Sequence, residues 1–129
     1  MKIKAMTLSN GELGVVELTN TLGELQKIVG GYIEMHMVSR VFYQHNIDIV
    51  INEDGKFIEG LRPEIVILGK ETNTTLDVVY GNCVFVSHDN AGNTVGLSDK
   101  QIEIVMEELK LGAMLSNKNE YFSVKTLFA

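Results

Sequence analysis

Between residues 21 and 38, TLGELQKIVGGYIEMHMV, the spacing of apolar positions changes once. Leu22, Leu25, Ile28 and Val29 fall on one side of a 3.6-residue spiral with Glu24, Gln26 and Lys27 opposite, which predicts an amphipathic helix. Thr21 is placed to cap it, and Glu24, three residues on, completes the spacing of a capping box. Gly30 and Gly31 can take the positive φ that ends a helix. Beyond them the period falls to two, with Ile33, Met35 and Met37 facing one way and Tyr32, Glu34 and His36 the other, as in a strand.

The same reading extends along the chain. Residues 2–6 and 13–18 flank Ser9-Asn10-Gly11-Glu12 and predict an N-terminal hairpin. Residues 39–44 fit either a loop or a strand. Ile47, Ile49 and Ile51 predict a strand that enters Asn52-Glu53-Asp54-Gly55, whose Asp-Gly predicts a second hairpin returning through Lys56, Phe57 and Ile58. Residues 64–68 are too few and too β-branched for a helix, and residues 69–75 read as a polar loop. A strand is expected from Val78 through Tyr80, Cys83, Phe85 and Ser87, with Gly81 as a bulge or close approach, followed by a turn at residues 88–93 and a return at 94–97. Ser98 with Gln101 caps a second helix, whose expected buried stripe is Ile102, Val105, Met106 and Leu109 and whose end is near Gly112. Residues 119–129 form a C-terminal strand or arm, lying on their own domain or on a second subunit. The whole predicts one α+β domain over residues 1–129: a mainly antiparallel sheet with two helices packed on it.

Composition narrows the function classes. A chain of 129 residues with 45% hydrophobic and 22% charged residues suits an ordinary globular domain. Seventeen acidic against eleven basic residues, a formal charge of −6, argue against nucleic-acid binding through phosphates. Neither an apolar leader nor an 18-residue apolar run is visible, so no membrane span and a cytoplasmic location are expected. Cys83, the single cysteine, excludes an internal disulfide and a thiolate cluster, and its apolar neighbours predict an inert buried thiol. His36, His45 and His88 lack metal-ligand spacing, and no nucleophile elbow, phosphate loop or HExxH occurs, so the expectation is no metal, no cofactor and no enzyme. Recognition chemistry remains: the Arg40 and Arg62 guanidinium forks, the Gly31 backbone, the Tyr32 ring, and Asn90 and Asn93 amides are the residue types of a nucleotide pocket.

The segments VGGYIE at residues 29–34, NEDGK at 52–56, GNCVFV at 81–86 and GLSDKQI at 96–102 resemble those of a family of small phage and prophage proteins carrying a domain of unknown function. The likeness spans most of residues 3–109. The size and layout also resemble phage sponges of the Thoeris anti-defence type, which hold cyclic nucleotides without cleaving them. The first family commonly has a Pro-x-Asn segment after NEDGK, where this chain has Leu61-Arg62-Pro63-Glu64, so no role is carried over there. This resemblance implies a cytoplasmic anti-defence protein that sequesters a cyclic ADP-ribose isomer or cyclic oligonucleotide, while the apolar alternation of residues 121–128 makes a homo-oligomer the expected state. The alternative is a non-enzymatic inhibitor that binds a host defence protein directly.

Overall fold

The strand most enclosed by the rest of the chain is the run Cys83–His88, in which Cys83, Val84, Phe85 and Val86 are all fully buried. Consecutive strand residues point to opposite faces, so both faces of this strand require an apolar cover. A computed structural model describes residues 1–36, 39–69, 75–114 and 120–125, and in it each face has a different cover. The elements in order are β1 Lys2–Ser9, β2 Glu12–Thr19, α1 Leu22–Val29, β3 Ile33–His36, α2 Arg40–Gln44, β4 Ile47–Asn52, a 3-10 turn Gly55–Phe57, β5 Pro63–Leu68, β6 Thr75–Tyr80, β7 Cys83–His88, β8 Thr94–Val95, α3 Asp99–Glu108, β9 Lys110–Met114 and β10 Glu120–Lys125.

One sheet has the order β2-β1-β7-β4-β3, with β8 also on β7; the second has the order β6-β5-β10-β9. Every pairing is antiparallel except β5 with β10. The fold is α+β, as expected, although the strands divide between two sheets. On one face of the first sheet, Val84 and Val86 join Val50, Ile3, Ala5 and Leu18 beneath Leu25 and Val29 of α1. On the other, Cys83 and Phe85 join Met6, Leu8, Ile47 and Ile49 against Ile65, Ile67 and Val79 of the second sheet, with Phe42, Ile104, Val105, Leu109 and Phe122 closing the ends. Phe42 meets Phe85 edge to face, with centroids 6.1 Å apart and planes at 78°.

Helix α1 stops at Gly30 as expected but begins with only half of the expected capping box, since the Thr21 N–H donates to the Thr19 carbonyl at 2.9 Å and not to the Glu24 side chain. Thr21 Oγ1 accepts the Glu24 N–H at 3.2 Å, and Gly30, at φ 84°, donates its N–H to the Gln26 carbonyl. At α3 the capping box is complete: Ser98 Oγ accepts from Gln101 N–H and Gln101 Oε1 accepts from Ser98 N–H.

Several expectations are corrected. Residues 40–44 are helix α2, capped by Ser39 Oγ on the Phe42 N–H, rather than loop or strand. Asp54-Gly55 leads into a 3-10 turn, with no returning strand; Gly55 is needed because a Cβ there would lie 2.8 Å from the Tyr80 carbonyl oxygen. The run 78–87 is two strands in different sheets, β6 and β7, parted at Gly81-Asn82. Helix α3 stops at Glu108, since residues 110–114 are strand β9. Its buried residues are Ile104 and Val105, followed by Leu109 just past its end, while Met106 is 51% exposed; Leu22 of α1 is likewise exposed. Residues 120–125 form β10 beside β5 of the same chain, whereas residues 119 and 126–129 lie outside the described residues.

Truncating Phe85 to Ala should cost about 3–5 kcal/mol in urea unfolding, while Met106→Ala should stay within about 0.5 kcal/mol. Equal costs for the two would contradict the assigned faces.

Candidate functional site

The C-terminal end of α1 opens onto a cleft of about 360 Å³ whose lining includes Asn10, Lys27, Gly30, Arg62, Glu64 and Asn82. Four segments meet there: the β1–β2 turn, the end of α1, residues 60–62 and the β6–β7 turn. Neutral amides tie down the α1 carbonyls, Asn52 Nδ2 donating to Val29 O at 3.1 Å and Asn82 Nδ2 to Ile28 O at 3.4 Å. Terminal helix carbonyls have no intrahelical partner, so these bonds satisfy groups that burial would otherwise leave unpaired.

The cleft floor is ionic. Glu64 is 1% exposed, and its carboxylate accepts from Asn10 N–H at 2.9 Å, Gly11 N–H at 2.8 Å and Arg62 Nη1 at 2.7 Å. A buried carboxylate is tolerated only when paired and hydrogen-bonded, and this one has both kinds of partner. Arg62 is anchored in turn by its carbonyl, which accepts the Gly81 N–H at 2.9 Å. The sequence marks residues 64–68 only as too short and too β-branched for a helix and gives no sign of this role, because the backbone partners of Glu64 lie 53 and 54 residues away.

The structure disperses the residues expected to form a pocket. Arg62 lines the α1 cleft, and Gly31 follows Gly30 at its rim. The Gly30 and Gly31 N–H groups both go to the Gln26 carbonyl, so this step offers no spare backbone donors. Tyr32 is exposed beside β3, and Arg40 is exposed in the first turn of α2. Asn90 and Asn93 are in the β7–β8 turn, where Asn93 donates its N–H to Asp89 Oδ1 at 2.9 Å and its amide to Oδ2 at 3.3 Å. Arg62 adjoins Gly81 at the start of β7 and Asn93 adjoins Asp89 past its end, a strand length of about 25 Å apart at about 3.3 Å per residue. Arg62 and Asn93 therefore lie toward opposite ends of β7.

Two histidines pair with carboxylates elsewhere. His88 Nδ1 lies 2.8 Å from Asp48 Oδ2, and His36 Nε2 lies 3.4 Å from Asp77 Oδ2, while Asp77 Oδ1 takes Lys56 Nζ. Burial raises the Asp77 pKa, but the Lys56 bond, the Val78 N–H and the Lys56 and His36 charges outweigh it, so the carboxyl titrates below the usual range. Burial, aided by the Glu64 carboxylate, pushes the Cys83 thiol far above its ordinary value, and no thiolate forms at neutral pH. Among the described residues no three of His, Cys, Asp and Glu are placed to hold a metal ion. No helix among them is long and apolar enough to cross a membrane.

These features define a small α+β domain of two packed sheets with a charged cleft at one helix end. The chain belongs to the family described as the domain of unknown function DUF3846, whose model matches residues 1–110. No curated protein and no solved structure matches it.

Two predictions follow from the ionic groups. Arg62→Ala leaves the buried Glu64 charge short of a cation and should cost about 1.5–3 kcal/mol in urea unfolding; no loss would contradict the pairing. Asp77 has a depressed folded pKa, so its contribution is present above the unfolded value of about 3.9 and is lost as pH falls through the folded one. Melting curves across pH 2–7 should therefore show a shallower acid decline for Asp77→Asn than for the parent chain.

Proposed function

We propose that this protein is a non-catalytic binder that holds an anionic cyclic nucleotide in the cleft at the end of α1. The carrying observation is a sign of charge. Among the described residues, the lining of that cleft has Lys27 and Arg62 against Glu64, a sum of +1 with His taken as neutral. Four other clefts compared with it sum to −1 (Glu34, Glu53, Lys56), −1 (Asp48), −1 (Glu12) and 0 (Lys56, Asp77). In a chain of formal charge −6, a cleft of positive sum receives a phosphate-bearing ligand more favourably than the acidic and neutral ones compared with it. The volume of about 360 Å³ also lies within the range of about 300–1,000 Å³ typical of small-molecule sites. The resemblance of the VGGYIE, NEDGK and LSDKQI segments to small phage proteins, and of the size and layout to phage sponges, motivates the biological class proposed: a phage anti-defence sponge acting in the host cytoplasm, which withholds a cyclic ADP-ribose isomer or a cyclic oligonucleotide without cleaving it.

Sequestration needs tight binding rather than reactive groups. A charge-assisted hydrogen bond contributes about 1.5–3 kcal/mol, so losing one weakens binding by roughly ten- to a hundredfold. Lys27 is the clean position to test, since it is exposed and outside the Glu64 pair. Calorimetry against cyclic ADP-ribose isomers and cyclic di- and trinucleotides should find one ligand recovered unchanged, with Lys27→Glu weakening it by that factor at an unaltered melting temperature. Absence of binding across the panel overturns the proposal.

A further inference from the structure

Strand β3 is the last strand of the first sheet and pairs only with β4 among the described residues. The direction of its backbone groups follows from one bond beside it. The Tyr32 carbonyl accepts the Glu53 N–H at 2.9 Å, which makes 32 and 53 a hydrogen-bonded pair. Antiparallel pairs alternate, so residues 34 and 36 turn their groups toward β4, and Ile33 and Met35 turn their N–H and C=O groups outward. An unpaired row of this kind is a template for a further strand.

The surroundings of the edge are unusual for open surface. Tyr32 is 71% exposed, Tyr43 65% and Phe57 86%, and Met35 is also exposed. Aromatic and Met side chains of this kind are enriched at protein interfaces. A cleft of about 230 Å³ lined by Met35, Tyr43, Ile47 and His88 lies at one end, and a cleft of about 130 Å³ lined by Glu34, His36, Lys56 and Phe57 lies between β3 and β6. Side chains of an added strand alternate between faces, so main-chain bonds can hold it while such clefts take alternate residues. The charge is one-sided. Lys56 is spent on Asp77, whereas the exposed Glu34, Glu53 and Asp54 carboxylates have no cationic partner among the described residues.

We propose that β3 is a docking edge for an extended protein segment that alternates basic with apolar residues and adds to the sheet through the outward groups of Ile33 and Met35. Its apolar residues would meet Met35 and Tyr43 on one face, and its basic residues Glu34 and Glu53, with Asp54 nearby, on the other. This surface is separate from the α1 cleft, so its test does not depend on nucleotide binding.

The probe is a fluorescein-labelled decapeptide alternating Lys with Val and Ile, with a second peptide carrying Glu for Lys as control. Anisotropy should show binding of the basic peptide at least tenfold tighter than the acidic one, and amide exchange should slow at Ile33 and Met35 in the complex. Met35→Pro removes an outward donor without touching the β4 ladder and should weaken binding at least tenfold; Glu34→Lys should do the same and keeps the test open if the proline variant fails to fold. Equal binding of both peptides, or full binding by Glu34→Lys, overturns the proposal. So does a dimer of the protein alone, in sedimentation, that Glu34→Lys dissociates, since the edge then belongs to a second copy.

Discussion

Burial of β7 on both faces is the constraint from which the architecture follows. A strand whose residues 83–86 are all enclosed cannot belong to a sheet with one solvated side. The chain supplies two unlike covers: a single eight-residue helix, α1, on one face and an entire second sheet on the other. The unequal covers decide where clefts occur. Helix α1 is too short to roof the sheet from end to end, so its C-terminal end leaves a gap that turns from β1–β2, β6–β7 and residues 60–62 partly fill.

Polar residues rather than apolar ones close that gap. Glu64 gathers two backbone N–H groups and a guanidinium, and so links the first hairpin to the second sheet. Within the protein such a pair is not a large source of stability, because desolvation consumes most of the attraction. Its contribution is positional. Arg62 is held by Glu64 on one side and by the Gly81 N–H on its carbonyl on the other, and that places a cation at the rim of an otherwise acidic molecule.

What was legible in the sequence is what depends on near neighbours. The α1 and α3 caps, the Gly30 stop and the N-terminal hairpin all follow from residues within four positions of each other. The division into two sheets was not legible, and β6–β7 shows why: Val79, Cys83 and Phe85 share one parity and one core, so the period of two runs unbroken through the turn between sheets. Helix α2 has only five residues, little more than one turn, and leaves no readable spiral. Met106 was misassigned because Ile102, Val105, Met106 and Leu109 form an equally good stripe on paper, and only the position of the second sheet selects Ile104 instead. Of the candidate site, Arg62 was visible by its chemistry, but its pairing with Glu64 and its distance from Asn93 are properties of the assembled fold.

The stretch Asn52-Glu53-Asp54-Gly55 carries the deeper lesson about turn signals. Its Asp-Gly predicts a hairpin, yet glycine serves there to let the backbone approach the Tyr80 carbonyl. The first residue matters more than the last two. Asn52 is buried, donates its amide to the Val29 carbonyl and accepts the Asp54 N–H at 2.8 Å, so it satisfies the end of α1 and the start of the turn together. A carboxylate in its place would face the α1 carbonyl without a donor, and an apolar residue would leave the buried Val29 carbonyl and the part-buried Asp54 N–H without this partner. A neutral amide meets both demands without adding charge between the Lys27–Arg62 cleft and the Glu34, Glu53 and Asp54 edge.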